Sequence, residues 1–212
     1  MRKLILGVAA IGFMAFATSA HAGFILSTGT TGTIPSNNDF KSNLNALGFD
    51  SFSQGAGTDL KLSTGGTVVF FKHGKEAGFT NTFNSDGSGS PAVSDTQSAN
   101  FGWNGPGIKI GTASFSASST LPWEFDSAQG AVNQGIGSLG FGIFFDSSVV
   151  TSGPTDIGNW VYFGQDDQST NVDDNHDDFV ISAHIVPEPA TIGLLGMGLA
   201  GVGFVAHRRR KA

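Results

Sequence analysis

Short apolar runs, each interrupted by glycine or a small polar residue, leave little room for helices in this chain. Of its 212 residues, 31 are glycine and 19 are phenylalanine, whereas tyrosine occurs once. Aromatic and β-branched residues favour strands, and glycine, serine and asparagine favour the turns between strands. The pattern predicts an all-β fold consisting of a single β-sandwich of jelly-roll type, with a closed barrel as the alternative.

Six runs predict strands, and only one segment predicts a helix. The predicted strands are 66–72, 108–117, 121–125, 138–146, 159–164 and 179–186. In the last of these, apolar residues alternate from Phe179 to Ile185, which is typical of a half-buried strand. The predicted helix is 39–47, with Asp39 as its cap and Phe40, Leu44 and Leu47 on one face.

The first 22 residues have the composition of a secretory signal peptide. Arg2 and Lys3 precede an apolar stretch at 4–17, and small residues follow at Ala20 and Ala22. A short apolar run that leads directly to an Ala-x-Ala pattern predicts cleavage by signal peptidase after Ala22. The same features argue against a first transmembrane helix in this segment.

A second apolar run, 190–206, contains no charged residue and is followed at once by basic residues. As a helix it would be about 25 Å long, close to the roughly 30 Å of a bilayer's hydrocarbon core. The cations would stay on the cytoplasmic side, so residues before Val186 would be exported. These residues predict a transient anchor in the inner membrane, with a basic tail at Arg208, Arg209, Arg210 and Lys211.

The order of a proline-bracketed glutamate, a short glycine-rich apolar run and a basic tail resembles the PEP-CTERM sorting signal of Gram-negative bacteria. The sorting signal is predicted at 187–212, and the resemblance begins one residue earlier, at Val186. It implies that an exosortase processes the chain and that the product is delivered to the cell surface or to an exopolysaccharide matrix. Two prolines keep the segment extended and accessible to an enzyme. The motif residues are Val186, Pro187, Glu188, Pro189, Ala190 and Thr191.

The domain between the two signals, 23–186, is strongly acidic. Its 164 residues hold 5 Lys and Arg against 16 Asp and Glu, a net charge of −11. This charge disfavours nucleic acid as a partner and favours divalent cations. The chain has no cysteine, so disulfides cannot stabilise the domain.

Six of those carboxylates fall within 13 residues, at 166–178. Asp173, Asn175 and Asp177 have the i, i+2, i+4 spacing that lets oxygen ligands converge on Ca²⁺. Asp166 and Asp178 are further candidate ligands. The segment is not an EF-hand, because Asp178 stands where the turn requires glycine and a strand follows instead of a helix. The alternative is a solvated loop that binds no ion.

The segment 138–185 also resembles the end of the bacterial extracellular β domain known as DUF4114. The resembling stretches are GFGIFFDSS, GNWVYFGQDD and NVDDNHDDFVISAHI. In that domain an acidic turn introduces the final strand. His176 departs from the pattern, which leads us to expect an aromatic residue there.

The sequence offers no catalytic constellation of known type. Cysteine, G-x-S-x-G and H-E-x-x-H are absent. Glu124 and Asp126, two residues apart on one strand, could imitate a glycosidase pair, although strand neighbours of this kind are usually surface residues. Trp103, Trp123 and Trp160 suggest either a carbohydrate-stacking platform or core packing. We therefore expect a non-enzymatic structural or binding protein, with a secreted polysaccharide hydrolase as the alternative.

Overall fold

A computed structural model describes residues 22–76, 79–86, 102–117, 119–128, 133–150, 153–167 and 175–186, together with residue 198. Ala22–Pro187 forms one compact unit, which holds all described residues except Gly198. Its strands are β1 (Phe24–Ser27), β2 (Thr30–Thr33), β3 (Ser51–Gln54), β4 (Asp59–Leu62), β5 (Gly66–Gly74), β6 (Asn81–Asn84), β7 (Ile108–Phe115), β8 (Glu124–Ser127), β9 (Gln134–Gly135), β10 (Phe141–Phe145), β11 (Thr155–Asp156), β12 (Trp160–Gln165) and β13 (Phe179–Val186). The helix α1 is Lys41–Ala46.

The largest sheet has seven antiparallel strands in the order β2-β3-β10-β12-β13-β5-β7. Two sheets of three strands, β11-β1-β4 and β6-β8-β9, accompany it. Strand β13 is near the middle of the large sheet, with β12 on one side and β5 on the other. The segment that follows the acidic stretch is therefore central to the fold.

The main core contains buried residues from all three sheets. Phe24, Phe70, Phe125, Phe163 and Phe179 are among its fully buried side chains. Trp123 packs in the same core, edge-on to Phe24 and Phe70. Burying phenylalanine rings contributes about 1.5–3 kcal/mol each relative to leaving them exposed, which suits a domain without disulfides.

A second, smaller cluster contains the helix. Phe40 and Leu44 pack there with Phe52, Tyr162 and Val180, which come from strands of the large sheet. The predicted helix is present but shorter than expected. Its N-cap position is Phe40, without a side-chain cap, so the predicted cap at Asp39 is wrong. Leu47, predicted on one face with Phe40 and Leu44, is the C-cap residue and is 48% exposed, whereas the other two are buried.

The predicted all-β class is confirmed, because the domain consists mainly of antiparallel sheets and has one short described helix. The jelly-roll connectivity stays a prediction. The half-buried pattern predicted for 179–186 is wrong, since residues 179–183 are all buried. Val180 belongs to the smaller cluster and Ile181 to the main core, so both faces of β13 are covered.

Residues 1–21 lie outside the described residues, and so does 187–212 apart from Gly198. The predicted signal peptide, apolar segment and basic tail therefore stay predictions from sequence. In the described part of the chain, no helix has the length and apolar character to cross a membrane.

Candidate calcium site

The acidic residues meet at one edge of the large sheet because of strand pairing. Asp166 and Asp167 follow β12 directly, and Asp177 and Asp178 precede β13. The antiparallel register pairs Gln165 with Phe179, so the two pairs of carboxylates are held side by side. All four side chains are buried, with at most 8% exposure. Four buried aspartates in one place are unusual, because aspartate is seldom buried without a partner.

Glu76 completes this group from the neighbouring strand. Strand β5 pairs with β13 and ends at Gly74, opposite Val180. Carboxylate oxygens of Glu76, Asp177 and Asp178 all lie within 4.8 Å of one another. Sequence reasoning missed Glu76 because it is about 100 residues away along the chain, and its only signal was its position just after a predicted strand.

Hydrogen bonds fix the carboxylates around this point. The Asp167 backbone N–H donates to Asp178 Oδ2 at 2.7 Å, and the Asp39 N–H donates to Asp177 Oδ2 at 2.6 Å. The fully buried Asn81 donates through Nδ2 to Asp167 Oδ2 at 3.0 Å. Donors from three separate segments thus orient the oxygen atoms before any ion binds.

The electrostatics of the cluster are unfavourable for negative charge. Burial, with the charges of Asp167, Asp166 and Asp177, raises the pKa of Asp178 to about 8, although the hydrogen bond from Asp167 opposes the rise. A divalent cation between the carboxylates would favour their ionised forms instead. The arrangement can therefore hold a hard cation through oxygen ligands.

Residues 175–178, the described end of the acidic stretch and here called the acidic turn, are anchored to the sheet by His176. This residue is fully buried with φ of 55°, and its imidazole packs on Phe52 at a centroid distance of 4.9 Å. Its Nε2 lies 3.0 Å from the Leu139 carbonyl oxygen. A histidine therefore packs where an aromatic residue was expected, and Asp177 follows it directly.

Only some of the predicted calcium ligands lie in the group of Glu76, Asp177 and Asp178. Asp177 and Asp178 lie in the three-residue group, and Asp166 is buried close by. The backbone carbonyl of Asn175 accepts a hydrogen bond from the Asn38 side chain. Asp173 lies outside the described residues. Calcium binding by this set stays a prediction.

The two carboxylates that imitate a glycosidase pair lie in β8, and each accepts a hydrogen bond from a neighbouring segment. Glu124 accepts a hydrogen bond from Asn84 Nδ2 at 2.9 Å. Asp126 accepts one from the Asn133 backbone N–H. Asn84 ends β6 and Asn133 directly precedes β9, so both interactions link segments of the sheet β6-β8-β9, which is consistent with a structural role.

The described residues include one end of each predicted signal. Ala22 is buried against the main core, and Val186 ends β13 with 42% exposure. Ala20 lies outside the described part, as do the remaining residues of the proline-bracketed motif. Signal cleavage after Ala22 stays a prediction.

Comparison with known proteins identifies the sorting segment. Residues 186–210 match the family model of the PEP-CTERM protein-sorting motif. No curated protein and no solved structure matches the chain. The chain thus carries a PEP-CTERM sorting motif, which marks it as an exported protein that an exosortase processes.

Proposed function

We propose that this is a non-enzymatic structural or binding protein of the cell surface or exopolysaccharide matrix, and that its β domain binds Ca²⁺ at the cluster of Glu76, Asp177 and Asp178. The sorting motif supports the extracellular placement. The net charge of −11 in 23–186 supports a partnership with divalent cations. The chain has no cysteine and therefore no disulfides, so a bound metal ion would supply a cross-link that the domain otherwise lacks.

The convergence of three carboxylates within 4.8 Å, two of them buried, carries this proposal. Calcium takes six to eight oxygen ligands at about 2.3–2.6 Å, and carboxylates, carbonyls and water all serve. Asp166 and Asp167 add negative charge beside the group. Because the three carboxylates come from the end of β5 and from the turn before β13, a bound ion would join two parts of the domain.

Isothermal titration calorimetry tests the calcium site. We expect the exported protein, purified and treated with chelator, to bind one Ca²⁺ and to lose that binding in the Asp177→Asn variant. Asp146→Asn is the matched control, because it makes the same change at a carboxylate that does not belong to the cluster. Asp146 instead accepts a hydrogen bond from the Ser148 N–H in a turn. Wild-type protein without heat of binding at millimolar calcium would contradict the proposal.

Processing gives a separate prediction. We expect Glu188→Ala to block cleavage near the proline-bracketed motif, because this residue is the charged centre of the segment that the exosortase recognises. Mass spectrometry of the cell-associated protein would then detect a chain that retains Arg208–Lys211. The Asp146→Asn protein should be processed normally. Normal processing of the Glu188→Ala variant would show that recognition does not depend on this carboxylate.

A further inference from the structure

The three tryptophans, which the sequence suggests as one platform, have three different environments. Trp123 is 1% exposed and belongs to the main core. Trp103 is partly buried and packs against Phe40 and His73. Trp160 is 38% exposed, and it is the only aromatic residue among the exposed large hydrophobic side chains in the described ranges. Of the three tryptophans, Trp160 is therefore the most accessible to a ligand at the surface.

Neighbouring strands place other rings beside Trp160. The register pairs Trp160 with His184, and their ring centroids are 4.3 Å apart with 12° between the planes. Phe71 of β5 lies 5.7 Å from Trp160 at 29°. Tyr162, two residues further along β12, lies 6.5 Å away at 22°. Four rings from three strands are thus nearly parallel on one side of the sheet.

Strand pairing and one hydrogen bond fix the positions of these rings. Three adjacent strands of the large sheet carry its rings, so their spacing is fixed by backbone pairing. Asn159 Nδ2 lies 3.1 Å from His184 Nε2 and orients that imidazole. A rigid aromatic surface loses little conformational entropy when a ligand binds.

The charge around the stack differs from that of the domain. Within the described strands, the register partners of His184 and Phe71 in β5, β7, β12 and β13 include no acidic residue: they are Trp160, Val69, Ser182 and Lys109. On the outer side, Thr67 and Ser114 share a hydrogen bond of 3.2 Å. This strip therefore places the exposed part of Trp160 near the hydroxyl groups of Thr67 and Ser114 and the ammonium group of Lys109, in a domain whose net charge of −11 repels polyanions.

We propose that Trp160, His184 and Phe71 form a binding site for a neutral pyranose unit of a polysaccharide. The electron-rich face of an aromatic ring attracts the C–H groups on the flat face of a sugar ring, and this contact needs no charge. Hydroxyl and amide groups at the rim can bind the sugar hydroxyls. The inference rests on the proposed matrix role, and specifies the surface and the ligand class.

Affinity electrophoresis of the exported protein tests this site. Native gels would contain hydroxyethylcellulose or dextran as neutral probes, or alginate as an anionic one. We expect a neutral probe to retard the wild-type protein and Trp160→Ala to weaken that binding at least tenfold, while Trp160→Phe retains part of it. Leu139→Ala is the control, because Leu139 is 55% exposed and lies in a turn outside the stack.

Each possible result either supports or overturns the proposed sugar-binding site. Loss of binding in Trp160→Ala alone, with unchanged melting temperature, supports the site. Equal retardation of wild type and Trp160→Ala would overturn the site while leaving a polysaccharide-binding role intact. Retardation by alginate alone would overturn the neutral ligand class, and no retardation by any probe would overturn the inference as a whole. Calcium titration of the same proteins tests the proposed calcium site independently.

Discussion

Without divalent cations, the domain is expected to lose about 2 kcal/mol of stability between pH 6 and pH 8. For a domain of this size, that loss lowers the melting temperature by roughly 4–8 °C. The cause is Asp178, whose pKa in the folded protein is raised to about 8 from an ordinary value of 3.8. Thermal unfolding in chelator across this pH range measures the effect.

The direction follows from the protons bound in each state. Asp178 is mostly ionised in the unfolded chain above about pH 4, but in the folded domain it is only half ionised at about pH 8. The folded state therefore binds more protons in this window, and raising the pH favours unfolding. The stability linked to Asp178 is fully present below pH 4 and is lost as the pH rises through 8.

His73 acts in the opposite direction at lower pH. Burial lowers its pKa below 6.5, although a hydrogen bond with the Asn104 carbonyl opposes that change. The neutral ring therefore stabilises the fold above pH 6.5, and this stability is lost as the pH falls and the unfolded chain takes up the proton. Between the lowered pKa of His73 and pH 6.5 its contribution offsets the decline caused by Asp178, so the calcium-free protein is expected to lose stability mainly above pH 6.5.

Calcium should reverse the trend. An ion held by ionised carboxylates competes with protons, so its effect on the melting temperature should be larger at pH 8 than at pH 6. At a concentration 100 times its dissociation constant, a ligand stabilises the folded state by about 2.7 kcal/mol. Identical melting temperatures at both pH values, with and without calcium, would contradict this account of the cluster.

The Asp178→Asn variant separates charge from packing. Asparagine keeps an oxygen that can accept the hydrogen bond from the Asp167 N–H, but it has no charge to bury. We expect this variant to be more stable than wild type in chelator at pH 8, to lose most of the pH dependence and to respond weakly to calcium. A variant that is simply damaged would be less stable under every condition.

The sequence pointed to two of the three carboxylates that the structure brings together, and missed the third. The acidic stretch at 166–178 pointed to Asp177 and Asp178, because a run of carboxylates before a strand is visible locally. Glu76 was not visible, since only the pairing of β5 with β13 brings it there. Residues that are distant in sequence meet through strand order, and periodicity within one strand does not determine that order.

The differences between the predicted and the observed strands have a similar cause, because contacts between strands cannot be read from one strand alone. Long apolar strands such as β5 and β13 were predicted, whereas β2, with the sequence TTGT, has the composition of a turn because it lacks an apolar side chain. Burial of both faces of β13 depends on the residues that cover them: Val180 packs in the cluster that contains α1, and Ile181 packs in the main core. Alternation alone could not show this.

Two glycines allow the acidic turn to pack on the sheet. Gly142 and Gly164 are register partners in β10 and β12. A Cβ atom on Gly142 would lie 2.4 Å from the His176 ring, and one on Gly164 would lie 2.0 Å from the His176 carbonyl oxygen. His176 therefore occupies the space that two side chains would fill, and the turn that holds Asp177 follows it directly.

Gly164→Ala should consequently destabilise the domain more than alanine at Gly142 does. The clash at 2.0 Å is with backbone, so a side-chain rotation cannot relieve it, and the turn must move away from the sheet. We expect a loss of about 3 kcal/mol or more in the free energy of unfolding, measured by urea denaturation in chelator. Displacement of Asp177 and Asp178 should also weaken calcium binding at least tenfold.

The matched control is Gly153→Ala, because a Cβ at Gly153 meets no atom within 4 Å. That variant should unfold within about 0.5 kcal/mol of wild type and bind calcium normally. Gly142→Ala should be milder than Gly164→Ala, since its contact is with an imidazole ring, which can shift more readily than backbone. Wild-type stability and calcium binding in Gly164→Ala would show that the turn does not depend on the glycine pair, and the anchoring role of His176 would then be wrong.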